Sequence, residues 1–210
     1  MQSSRSIERT LLLTAIAAGT VLLVLLSGCD ELSIKTSLQG ESYELVSHHS
    51  ETATFPGDFS GKVTLVGYVY TACPDICPII TFNMRDIQDA IPDDQPFALA
   101  SISFDPDRDT PERLQQYAKS FRLGDDNWTL LTGERSSVER VLQRLEIATM
   151  KSPTRFMDDG TPIYFIDHSD KVTLLDADGN VRKTYVASTL NTDEVVQDIH
   201  TLLNEINPKH

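Results

Sequence analysis

The chain has 210 residues, with 31 acidic against 18 basic side chains and a formal net charge of −13 at pH 7. That balance argues against binding nucleic acid and against an electrostatic hold on anionic lipid; a cationic partner or a metal ion is tolerated, and solubility explains the acidity equally well. There is no internal repeat or low-complexity tract, and the length suits one domain with a real core.

Residues 1–28 read as a segment to be removed. Arg5 and Arg9 form a weakly basic start, Leu11 to Leu26 is apolar, and Leu26-Ser27-Gly28-Cys29 follows. A short apolar stretch ending in small residues is a secretory signal rather than a structural helix. Its Leu-Ser-Gly-Cys ending resembles the lipobox of bacterial lipoproteins, which implies cleavage before Cys29 and lipidation of its thiol. An uncleaved N-terminal membrane anchor is the alternative, and either leaves the remaining chain outside the cytoplasmic membrane. Acyl chains contribute about 0.8 kcal/mol per buried CH₂, so several hold firmly. Loss of Arg5, Glu8 and Arg9 would take the formal charge to −14. Residues 29–42 read as a membrane-proximal linker and 43–210 as the folded domain.

Tyr43 to Ser47 is expected as a short strand. His48 and His49 follow; adjacent residues point to opposite sides of a strand and chelate poorly, so a surface loop is expected there. Pro56 to Lys62 is turn chemistry. The most apolar run of the mature chain comes next, Val63 to Tyr70, rich in β-branched and aromatic residues and read as a buried strand. Thr71-Ala72-Cys73-Pro74-Asp75-Ile76-Cys77-Pro78 follows, and then apolar residues at helical spacing to Ile91. The cysteines therefore sit where a central strand turns into a helix, with Pro74 expected just inside the helix start. Cysteines four apart on a helix lie roughly 5–6 Å apart at Cβ, close enough to hold an ion jointly or, with relaxation, to form a disulfide. A thiol in a first helical turn also feels unpaired N–H groups and the positive end of the helix dipole, which favour thiolate. The site is redox-active, metal-binding, or both. A purely structural disulfide is a weaker reading, because a loop this short removes little unfolded-state entropy.

Phe97 to Phe104 reads as a second buried strand. Asp105-Pro106-Asp107-Arg108-Asp109-Thr110-Pro111-Glu112 is an acidic loop into a helix capped by Asp109 or Thr110; capping and turn roles explain its aspartates more simply than a calcium site does. A strand from Trp128, a helix from Glu134 to Ala148 and an irregular excursion over 149–161 follow. Thr161 to Ile166 is extended and leads to Asp167-His168-Ser169. Asp178-Gly179 between two β-rich runs, Lys171 to Asp176 and Asn180 to Val186, signals a hairpin. An amphipathic helix over Thr192 to Ile206 ends the fold.

Strands alternating with helices, then a hairpin, predict an α/β fold with a mixed central sheet flanked by helices. A cysteine pair after the first strand, with a hairpin closing the sheet, predicts a thioredoxin-like arrangement. That topology packs the loop before the hairpin against the cysteines, and so brings His168 toward Cys73 and Cys77. Two sulfurs and an imidazole suit copper, sulfur holding Cu(I) and nitrogen keeping Cu(II) accessible. Zinc usually wants a fourth protein ligand in a structural site. Asp167 is a candidate to steer the imidazole. Alternatively, the dithiol reduces a disulfide through a mixed-disulfide intermediate.

Three blocks, Tyr68 to Pro78, Ser103 to Glu112 and Asp167-His168-Ser169, together resemble the signature of the Sco/SenC family, in order and with similar spacing over Phe55 to Leu203. The resemblance implies a thioredoxin-like domain that carries one copper ion on Cys73, Cys77 and His168. It further implies a role in assembling the binuclear copper centre of cytochrome c oxidase subunit II. Some members are thought to reduce the client's cysteines instead, and other periplasmic copper or thiol carriers are expected partners. The expected location is the bacterial cell envelope, with the domain on the periplasmic side and anchored through Cys29. Ala72 departs from a His frequent in the family just before the first Cys. A thioredoxin-fold peroxidase is disfavoured by Tyr70 where a Thr or Ser would stand.

Overall fold

A computed structural model describes residues 32–124, 127–160 and 162–207. Cys29 and the apolar segment before it lie outside these residues. Among the described residues no helix is long and apolar enough to cross a membrane.

Eight strands form one mixed sheet. They are β1 (Thr36–Ser37), β2 (Tyr43–Ser47), β3 (Thr52–Phe55), β4 (Val63–Val69), β5 (Phe97–Ser103), β6 (Trp128–Thr132), β11 (Lys171–Leu175) and β12 (Asn180–Val186). Their spatial order is β1-β12-β11-β4-β5-β6-β2-β3, with β4, β5 and β6 mutually parallel and every other pairing antiparallel. All seven residues of β4 and of β5 are buried. Strands covered on both faces have no use for polar alternation, which is why both sequences are continuous apolar or small-residue runs. The helices α1 (Ile76–Ala90), α2 (Pro111–Phe121), α3 (Arg135–Arg144) and α4 (Thr192–Ile206) flank the sheet. Thr110 caps α2, accepting from Arg113 N–H, with Pro111 in the first turn; Asn191 caps α4 in the same way through Glu194. The β11–β12 turn ends on Gly179 at φ +80°, a backbone conformation that glycine adopts without strain.

Four details depart from the sequence reading. The stretch expected as linker contains β1, which pairs with Val181 and Asn180. Leu38, directly after it, is fully buried; the fold thus begins before residue 43, because burying Leu38 outweighs the polarity of its neighbours. His48 is buried, and its Nδ1 accepts from Leu130 N–H at 3.2 Å; only His49 is exposed. The helix expected to reach Ala148 stops at Arg144. The 149–161 excursion is ordered into β7 (Thr149–Lys151) and β8 (Arg155–Phe156), the latter pairing with β9 (Pro162–Ile163). β7 pairs with β10 (Ile166–His168), placing His168 opposite Thr149.

Candidate metal and thiol site

The site lies where β4 and β5 end. Phe104 N–H donates to Val69 O at 3.1 Å, extending the β4–β5 ladder by one step, and Cys73 N–H donates to Tyr70 O, closing a turn. A buried carboxylate holds that turn: Asp109 accepts from Thr71 N–H at 3.1 Å, from the Thr71 hydroxyl at 2.6 Å and from the Ser103 hydroxyl at 2.6 Å. Burial raises the Asp109 pKa, and these hydrogen bonds work in the opposite direction. Asp109 therefore anchors the cysteine turn, and Thr110 alone caps α2.

Helix α1 begins at Ile76, so Cys73 and Pro74 precede it and only Cys77 occupies its first turn. Cys73 nevertheless reaches the helix end, its Sγ accepting Cys77 N–H at 3.4 Å. Hydrogen bonds from the Cys77 thiol and from His168 pull the Cys73 pKa down to about 3, against desolvation; the Asp75 and Cys77 backbone assist. The hydrogen bond to Cys73 and burial push the Cys77 thiol up. The pair is thus one half-exposed thiolate over one buried thiol.

His168 is half-buried. Its ring lies 4.6 Å from that of Phe104, which in turn lies 5.1 Å from Tyr70. Nδ1 sits 2.9 Å from Ser169 O; a carbonyl only accepts, so Nδ1 carries a proton and Nε2 is the nitrogen left for a bond. Desolvation lowers the imidazole's pKa, but the contacts with Cys73 and the Ser169 carbonyl prevail and the net shift is upward. Asp167, expected to steer this ring, is exposed and makes no side-chain contact with it, its position being opposite Met150 on β10. The Ser169 carbonyl takes that role.

Cys73 therefore accepts from Cys77 N–H, and its acidity answers to both the Cys77 thiol and His168. Among the described residues, no three His, Cys, Asp or Glu side chains are gathered to hold an ion as they stand. The donor chemistry, two sulfurs and one imidazole nitrogen, fits a soft or borderline ion. Asp109, Phe104 and Ser169 were not singled out as site residues in the sequence. Only the tertiary fold shows that a loop aspartate, an apolar strand end and a main-chain carbonyl meet here.

The fold and these side chains define a thioredoxin-like protein with a thiolate, a thiol and an imidazole at the end of its central strands. Residues 33–204 match the family model SCO1/SenC, and the chain belongs to that family. It is 31% identical over 147 residues to an SCO2-like protein of Rickettsia typhi, covering 70% of this chain and 69% of the relative. It is also 31% identical over 143 residues to the SCO1 protein homolog of Bacillus subtilis, covering 66% and 70%. The copper-bound ScoI of Bradyrhizobium japonicum superposes with a TM-score of 0.66 at 27% identity, over 78% of this chain and 99% of that one. An SCO1/SenC family lipoprotein from Bacillus anthracis gives 0.65 at 23% identity, over 81% and 99%, a likeness of fold.

Proposed function

We propose that the protein is a copper-binding assembly factor that delivers one copper ion to the binuclear centre of cytochrome c oxidase subunit II or a similar respiratory copper protein. The observation that carries this reading is the Cys73 thiolate set between the Cys77 thiol and the His168 imidazole, at a helix start. A dithiol alone serves electron exchange; an imidazole with Nδ1 pinned and Nε2 available adds a metal donor. Membership of the family and the likeness to a copper-bound ScoI support the choice of metal.

Cys73 and Cys77 supply the soft sulfurs and His168 the nitrogen that keeps Cu(II) accessible, with one face left open toward a client. A lipid on Cys29 would tether the domain outside the cytoplasmic membrane, near a membrane-bound oxidase. The contrast in acidity between Cys73 and Cys77, a nucleophile over a resolving thiol, also supports thiol–disulfide exchange with the client's cysteines as a second activity. His168→Ala separates the two. The copper reading expects loss of tight copper with exchange of the Cys73–Cys77 pair retained. Stoichiometric tight copper in His168→Ala would remove the imidazole from the site.

A further inference from the structure

Beside the donors lies a cluster that the copper reading does not use. Arg108, in the loop between β5 and α2, touches three chain segments. Its Nε pairs with Asp105 Oδ2 in its own loop. Its Nη1 donates to Tyr164 O at 3.2 Å, and its guanidinium lies 3.6 Å over the Tyr164 ring. The same cation stands 5.6 Å from the ring of Tyr70, at the end of β4. Tyr164 closes the arrangement by donating its hydroxyl to Asp105 Oδ1 at 2.8 Å, and Lys151 Nζ on β7 sits 3.5 Å from the centroid of the same ring. Asp105 and Tyr164 are 3% and 5% exposed.

This arrangement is costly if its purpose is stability alone. Among the described residues Arg108 Nη2 is buried without a hydrogen-bond partner, and a desolvated ion pair is often matched by apolar residues of similar volume. What an apolar residue would not supply is direction. The planar fork fixes Tyr164 by main chain, ring face and, through Asp105, hydroxyl at once. Both ends of this grip lead to the imidazole. Tyr164 stands four residues before His168 on the segment running into β10, and Asp105 follows Phe104, whose ring lies tilted 4.6 Å from that of His168. His168 is thus approached from two sides by elements that Arg108 ties together.

We infer that Asp105, Arg108 and Tyr164 form a latch that sets the position of the His168 imidazole against Cys73, making Arg108 and Tyr164 positioning residues of the site rather than donors. The inference deepens the copper reading and rests on it only where copper is the probe. The test uses the full chain in detergent with ¹⁵N-labelled histidine, metal-free and reduced, comparing wild type with Arg108→Met, Tyr164→Phe and, as a control on the exposed strand β8, Arg155→Ala. Tyr164→Phe keeps the ring and removes only the hydroxyl, so it reports even if Arg108→Met does not fold. The latch predicts that His168 imidazole resonances move toward those of a free, solvent-exposed ring and that its cross-relaxation with Cys73 weakens in both latch variants, with Arg155→Ala unchanged. Titration with Cu(II) should then show affinity falling roughly 10- to 100-fold with an altered absorption spectrum, as loss of a supporting partner does at other metal sites. Unchanged His168 resonances in Tyr164→Phe and in folded Arg108→Met, with only thermal stability reduced, would make the cluster structural and overturn the latch. Should wild type itself take no copper, the copper reading fails, while the metal-free resonances still decide the latch.

Discussion

Cys73 and Cys77 are the same side chain four residues apart, and their surroundings drive their acidities in opposite directions. The consequence is selective reactivity. Iodoacetamide at pH 6 should label Cys73 and spare Cys77, read by peptide mass after digestion; equal labelling, or labelling of Cys77 first, would contradict the assignment. The signs of the linked stability follow from the shifts. The Cys73 pKa is depressed in the folded state from an ordinary value of 9.0 to about 3. Its contribution is therefore fully present above 9.0 and is lost as pH falls toward 3. The His168 pKa is raised above its ordinary 6.5, so its contribution is present below 6.5 and is lost as pH rises through the folded value. Wild type should thus lose more stability than Cys73→Ala on titration from pH 8 to pH 5; parallel pH dependences for the two proteins across that range would mean no linkage from the thiolate. Asp109 offers a cleaner structural test. Asp109→Ala strips three donors of their acceptor, two of them on the cysteine turn, and should lower stability by at least about 1–3 kcal/mol in urea unfolding. A change below that range would mean that water replaces the carboxylate.

At the scale of elements, the sequence revealed those whose pattern is local. β4 and β5 are continuous apolar or small-residue runs, the hairpin carries its Asp-Gly, and α4 shows its apolar stripe. Each is specified by residues a few positions apart. The elements that depend on distant partners were not visible. β1 is two residues long and exists through pairing with β12, 145 positions away at Thr36↔Val181, and through the burial of Leu38. Leu38→Ala should cost about 2–5 kcal/mol, the range for emptying a core leucine site; an unchanged urea midpoint would show that the fold begins at Tyr43 after all. Gly67 on β4 marks a close approach of another kind, since a Cβ there would run into Met84 Sδ. Gly67→Ala should overpack the β4–α1 contact and cost about 1–3 kcal/mol. Full stability in that variant would mean that Met84 finds another rotamer freely.

For the whole molecule, the candidate trio Cys73, Cys77 and His168 was legible because cysteine and histidine are rare in this chain and their topology is simple: strand end, helix start, and the strand before a hairpin. The supporting side chains were not legible. Aspartate, phenylalanine and tyrosine are common, and nothing in their spacing says that Asp109 underlies a turn 38 residues away or that Arg108 grips Tyr164 across 56. The expected Asp167 contact failed for a related reason, since strand alternation turns it away from the ring that Ser169 and Phe104 hold. What unites the molecule is a rigid, doubly covered pair of parallel strands presenting one thiolate at their end, with a second thiol beneath it and an imidazole beside it.

The most direct measurement is a copper titration of the fully reduced protein, with Cys73→Ala, Cys77→Ala and His168→Ala measured alongside. The account predicts one tightly held ion in wild type and its loss in each of the three variants, all of them still folded. Wild type that takes up no copper, while Cys73 and Cys77 interconvert readily between dithiol and disulfide, would contradict it and leave a thiol–disulfide oxidoreductase in its place.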